Sequence, residues 1–197
     1  ILLIAINWIG GNNPQAISIT FFAAVVILGS VSGAHFNPAV TIGVLIKNGN
    51  FKADLPFALM IIASQITGGF IGVITVFTSL SKVQMGDHTV RIGTLELLCP
   101  SASSKNDIIC DPTNFVWKIF LTEFVCTTLF VSLILTIKYQ TQSNESVLGA
   151  AAVATTLCGM INLSDAISSA CLNPAVGFVQ TLFQPMAWDS TLPKYDD

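Results

Sequence analysis

The chain has 197 residues, 52% of them apolar and only 10% charged, with a net charge of −3 and a mean hydropathy of +0.73. A soluble domain carries about a quarter charged residues, so this composition excludes an ordinary water-soluble globule and points to an all-helical, polytopic membrane protein. No basic cluster that would attract nucleic acid is present, and no Cys/His grouping has the spacing of a metal or cofactor site.

A helix needs about 20 predominantly apolar residues to cross the hydrocarbon core. Residues 1–10, ILLIAINWIG, are too few and read as the remnant of a first span. GNNP, residues 11–14, is a turn, and residues 15–32 form a second span without a single charge. The stretch AVTIGVLI that follows is stopped by Lys47, Asn48 and Gly49. Its length suits a re-entrant half-helix rather than a span. Residues 55–80, again uncharged, form a third span, in which Ser64, Gly68 and Gly72 make a small-residue stripe suited to close helix packing. Residues 81–114 form a polar connecting loop in which Cys99 and Cys110 flank PSASSKNDII and could form a disulfide if the loop faces an oxidising compartment. Residues 115–139 and 147–163 form two further spans. A second short apolar run, AVGFVQTLF, then stops at Gln184 and Pro185.

This order divides the chain into a first repeat over residues 1–80, the loop 81–114, and a second repeat over residues 115–197 in which the last span is missing. An odd number of spans separates the two short runs, so they enter the membrane from opposite sides, as in an inverted repeat. The positive charges do not orient the molecule. Lys47, Lys52 and Lys138 fall on one side, and Lys82, Arg91, Lys105 and Lys118 on the other over a much longer loop.

Each short run opens on the tetrapeptide Asn-Pro-Ala-Val, beginning at Asn37 and Asn173, 136 positions apart (173 − 37). Asn caps a helix by accepting an orphan backbone N–H. Pro suits the first helical position, and Ala is the best helix former. Two such starts meeting tip to tip would place two positive dipole ends at mid-membrane. They would also place two Asn amides there, free to donate to a neutral hydrogen-bond acceptor.

The pair SGAHFNPAVT (32–41) and CLNPAVG (171–177), with TEFVCTTLFV (122–131), resembles the aquaporin or major intrinsic protein family over nearly the whole chain. The resemblance implies a right-handed bundle of six tilted helices plus two re-entrant half-helices. It also implies a homotetramer with one pore per subunit, in a plasma or vacuolar membrane. Asn37 and Asn173 would donate to the permeating molecule, and Pro38, Ala39, Pro174 and Ala175 would stack the two tips. His35 would hold the first re-entrant loop. Glu123, costly within a span, would accept hydrogen bonds from re-entrant backbone rather than carry protons.

The sequence departs from the family at its filter. Most members place Arg after the second Asn-Pro-Ala, and here Val176 stands there, followed by Gly177 where glycerol channels carry Asp. The family pattern puts the other filter positions at Ile17, Ile161 and Ala170. An apolar ring of this kind resembles broad-specificity members and implies passage of water with glycerol, urea or ammonia. The alternative is a non-conducting structural or junctional protein on the same fold. A coupled transporter would need ionisable residues near the motifs, where only Glu123 and Asp165 qualify. No nucleophile–base pair marks an enzyme, and no cofactor is implied.

Overall fold

The structure, a computed structural model, describes residues 13–80, 112–140, 146–168 and 170–187. Every regular element among them is helical: α1 (Pro14–Ser32), α2 (Pro38–Asn48), α3 (Phe51–Leu80), α4 (Pro112–Gln140), α5 (Ser146–Ser168) and α6 (Pro174–Ala187). The remnant first span, the two loop cysteines Cys99 and Cys110, and the chain beyond Ala187 lie outside the described residues.

Among the described residues, four helices are long and apolar enough to cross a membrane, over Pro14–Ser32, Phe51–Thr75, Val116–Tyr139 and Val147–Asp165. Large apolar side chains stand exposed along them, among them Ile19, Val31, Met60, Trp117, Phe124 and Leu163. Such a surface suits lipid and not water. Exposed Thr67, Thr128, Thr136, Thr155 and Thr156 each turn the hydroxyl back onto the carbonyl four residues earlier. These five hydroxyl protons are thereby not left bare toward hydrocarbon.

The helix ends follow from local chemistry. Asn13 caps α1 by accepting from Ala16 N–H at 3.0 Å, with Pro14 in the first turn. Gly33 and Gly49, both at φ 73°, close α1 and α2 in the left-handed conformation that glycine takes without strain. α3 begins four residues before the uncharged run that sequence hydropathy picks out at residue 55. The Asn50 carbonyl accepts from Ala53 and Asp54 N–H at 3.2 and 2.9 Å, so Lys52 and Asp54 ride on its first turn. Pro56 follows inside the helix. α4 begins at Pro112 and not at Phe115, and α5 runs on to Ser168, past Leu163.

α1 packs on α5, α5 on α4 and α3 on α6, while α2 lies against α3, α4 and α6. One core gathers Phe21 of α1, Cys126 and Phe130 of α4, Val153, Ala154, Leu157 and Ile161 of α5, and Leu172. A smaller one joins Val73 of α3 to Val179 of α6. The small-residue stripe on α3 meets this arrangement only in part. Ser64 is exposed and Gly72 is buried, while a Cβ at Gly68 would meet nothing within 4 Å. The close approach falls instead at Gly69, where a Cβ would lie 3.0 Å from Val179 Cγ2.

The tightest approach is at Gly43, where a Cβ would sit 2.7 Å from Val131 Cγ1 and 3.4 Å from Leu135 Cδ1 of α4. Ala is better than Gly in a helix by about 0.8–1 kcal/mol, but overpacking costs about 1–3 kcal/mol. Gly43→Ala is therefore expected to lower the thermal transition in detergent, and Gly68→Ala to raise it or leave it unchanged. Equal shifts of the same sign in the two variants would show that α2 and α4 are not in close contact.

Candidate functional site

α2 and α6, with 11 and 14 residues, reach only about 16 and 21 Å at 1.5 Å per residue, short of the ~30 Å hydrocarbon core. Their N-terminal ends meet. Asn37 Oδ1 accepts from Ala39 N–H at 2.9 Å, and Asn173 Oδ1 accepts from Ala175 N–H at 3.1 Å. Each Asn backbone carbonyl also starts its helix, accepting from Thr41 N–H at 3.1 Å and Gly177 N–H at 3.0 Å.

The amide nitrogens then cross over. Asn37 Nδ2 donates to the Leu172 carbonyl at 2.8 Å, and Asn173 Nδ2 donates to the Phe36 carbonyl at 2.8 Å. Each loop thus uses its cap residue to bind the carbonyl just before the other loop's cap, a reciprocal pair with local two-fold character. Each NH2 has two protons, so one on each amide is committed to the opposite loop.

The backbone needed for this exchange is unusual in the same way twice. Ala34 and Phe36 have φ of 48°, and Ala170 and Leu172 have φ of 53° and 52°. These are the third and first residues before each Asn. A non-glycine residue in this region costs about 1–2 kcal/mol, and such strain persists only where surrounding contacts over-determine it.

On the second loop that contact is Glu123 of α4. One carboxylate oxygen accepts from Cys171 N–H at 3.0 Å and from the Ser168 hydroxyl. The other accepts from Leu172 N–H at 2.7 Å. Two consecutive backbone donors around the strained Leu172 are satisfied by one side chain. The first loop has a different set. His35 Nδ1 lies 3.3 Å from Thr41 Oγ1, and His35 Nε2 lies 3.2 Å from Lys138 Nζ at the far end of α4. Thr41 Oγ1 sits 3.2 Å from the Asn37 carbonyl and receives Gln65 Nε2 at 3.1 Å.

Pro38 and Ala175 are buried, Ala39 is half-buried and Pro174 exposed. Asn37 is buried at 3% exposure, while Asn173 keeps some surface. Of the positions matched to a filter, Ile17, Ile161 and Ala170 come together around the core that includes Phe21 and Leu172. Val176 packs instead with the α3–α6 cluster of Val73 and Val179. Ile161 is 4% exposed, whereas Ile17, Ala170 and Val176 are half-buried and keep some free surface.

Sequence reasoning did not single out Thr41, Gln65, Lys138 or Ser168. A signal was available for Thr41, which lies four residues after Asn37, one helical turn on. None was available for Lys138, which is 103 residues from His35. Among the described residues, three buried side-chain polar atoms have no hydrogen-bond partner: Ser18 Oγ, Gln65 Oε1 and Gln180 Nε2.

Comparison with known proteins adds the following. The family model described as Major intrinsic protein matches residues 12–191. Aquaporin-B of Dictyostelium discoideum is 28% identical over 129 residues, 64% of this chain and 39% of that protein. Aquaporin NIP1-2 of Arabidopsis thaliana is 30% identical over 159 residues, 79% of this chain and 47% of that protein. The match thus spans less than half the length of either relative.

Proposed function

The chain belongs to the major intrinsic protein family and is an integral membrane protein, and from that premise we propose that it is a passive transmembrane channel for water and small neutral solutes. The observation that carries this reading is the reciprocal pair of bonds from each half-helix cap to a carbonyl of the opposite loop. It fixes two Asn amides at the meeting point of two positive helix ends. The remaining amide proton of Asn37 and of Asn173 is the donor offered to a permeating oxygen, one molecule at a time. Pro38, Ala39, Pro174 and Ala175 form the abutting tips. A cation there would face two dipole ends without a carboxylate to replace its water, so the site selects for neutral acceptors. The names of the two relatives support a water channel.

Ile17, Ile161, Ala170 and Val176 form the filter in this reading. Their side chains supply no hydrogen-bond donor, so sorting falls to size and backbone carbonyls, and glycerol, urea or ammonia should pass with water. The working assembly is a homotetramer in a plasma or vacuolar membrane. His35 and Glu123 act by holding the loops, and no step calls for proton transfer.

The test is stopped-flow light scattering on proteoliposomes against protein-free liposomes. Water efflux well above the lipid background is expected, together with flux of at least one of glycerol, urea and ammonia and no sodium current. Background rates for all of them, from protein that is folded and inserted, would replace the channel with the non-conducting structural reading.

A further inference from the structure

α4 touches both re-entrant loops with opposite charges. Glu123 is an anion on the second loop's backbone, and Lys138, fifteen residues on, is a cation on the first loop's histidine. At 1.5 Å per residue the two lie about 22 Å apart along the helix. The first contact has an obvious structural use. The second carries more information, because it fixes a proton.

An ammonium has three donors and no acceptor. Facing it at 3.2 Å, His35 Nε2 must be the acceptor, which places the ring proton of a neutral imidazole on Nδ1. Nδ1 then donates to Thr41 Oγ1 at 3.3 Å. Thr41 Oγ1 also receives Gln65 Nε2, so its own proton is left for the Asn37 carbonyl 3.2 Å away. The direction of every bond in the chain Lys138 to His35 to Thr41 to Asn37 follows from the one group that cannot accept. Thr41 is 2% exposed, so no bulk water stands ready to substitute. The same end of α4 is tied to the far end of α2, where Tyr139 Oη donates to Asn48 Oδ1 at 2.9 Å.

We propose that Lys138 is a positioning residue for the first re-entrant loop: by donating to His35 Nε2 it holds His35 in the Nδ1–H tautomer, and through His35 and Thr41 it sets the start of α2 at Asn37. The proposal rests on the reading of the loop meeting point as the pore centre for its functional meaning. Its readouts do not depend on conduction. Without Lys138, Nε2 is free to carry the proton. Nδ1 then becomes an acceptor and draws the Thr41 proton away from the Asn37 carbonyl.

The chain has two histidines, so His88→Gln leaves one imidazole to observe. In protein labelled with 15N-histidine and reconstituted in lipid, His35 should show a protonated Nδ1 and an unprotonated, hydrogen-bonded Nε2. Lys138→Met should move the proton to Nε2, and Lys138→Arg, which still donates, should restore the original spectrum. The Lys138→Met and Thr41→Val shifts in thermal midpoint should be non-additive, although the two side chains do not touch, because both act through one ring. A wild-type His35 protonated on Nε2, a Lys138→Met spectrum identical to wild type, or additive midpoints would each overturn the proposal. A protein that keeps these signatures and fails to pass water would overturn the channel reading instead.

Discussion

Glu123→Ala is expected to leave no functional, stably folded protein. The carboxylate accepts Cys171 N–H, Leu172 N–H and the Ser168 hydroxyl. Ser168 is fully buried and Leu172 nearly so. Hydrogen bonds to a charged group contribute about 1.5–3 kcal/mol each, and a buried donor left unpaired costs about 1–3 kcal/mol. The Ser168 hydroxyl can fall back on the Ser164 carbonyl 3.3 Å away, but the two backbone donors are stranded together, which puts the loss on the order of 4 kcal/mol. That is comparable with the lower end of a small domain's whole stability, about 5–15 kcal/mol. It falls on the segment where Ala170 and Leu172 are already held in the left-handed region. Glu123→Gln separates the geometry from the charge. Its one oxygen can keep Ser168 and Cys171, but its NH2 would meet the Leu172 N–H donor to donor. It should fold with a lowered thermal midpoint and much reduced water permeability. A Glu123→Ala protein that runs as a sharp, inserted species and conducts at the wild-type rate would show that the second loop needs no carboxylate.

Much of this arrangement could be read from the chain because it is local. Asn37 and Asn173 announce caps since a cap needs only the next two or three residues, and the short runs behind them announce half-helices by length alone. Glu123 stood out because a lone carboxylate within a span must have a partner. What could not be read is which surface meets which. α3 is apolar on nearly every side, so it carries no amphipathic stripe to show where α6 lies. Ser64, Gly68 and Gly72 looked like the contact, yet the face that packs runs through Ile66, Gly69, Phe70 and Val73. The cross-loop bonds join positions 135 and 137 apart in sequence, and the left-handed backbone that enables them sits at Ala, Phe and Leu, residue types that give no hint of it. Lys138 belongs to the same class. At the end of a span it reads as an interfacial anchor, and only its approach to His35 gives it another part.

Val176→Arg is expected to change selectivity more than any other single substitution. Val176 stands on the first turn of α6, half-buried and packed toward Val73 and Val179. In the proposed filter it would offer the passage an apolar wall. A guanidinium there would bring five donors in a fixed planar fork, three residues from Asn173 and four from the strained Leu172. It would narrow the opening and also replace some of the hydrogen bonds that a water molecule gives up on entry. Glycerol and urea are wider than water, and glycerol has carbons that gain nothing from a charged donor. They should therefore lose far more than water does. A tenfold fall in solute flux corresponds to about 1.4 kcal/mol of added barrier, a small demand on so large a side-chain change. Water flux should fall by no more than about threefold, since each further factor of ten would need another 1.4 kcal/mol. The charge is placed against the positive end of α6, which costs roughly 0.3–1 kcal/mol at an exposed site. A modest loss of thermal stability should therefore accompany the change. Paired water and glycerol measurements on the same proteoliposome preparation remove differences in protein content. If folded Val176→Arg protein keeps the wild-type ratio of glycerol to water flux, position 176 does not border the narrowest part of the passage, and the sorting lies with Ile17 and Ala170, the other two filter positions that keep free surface.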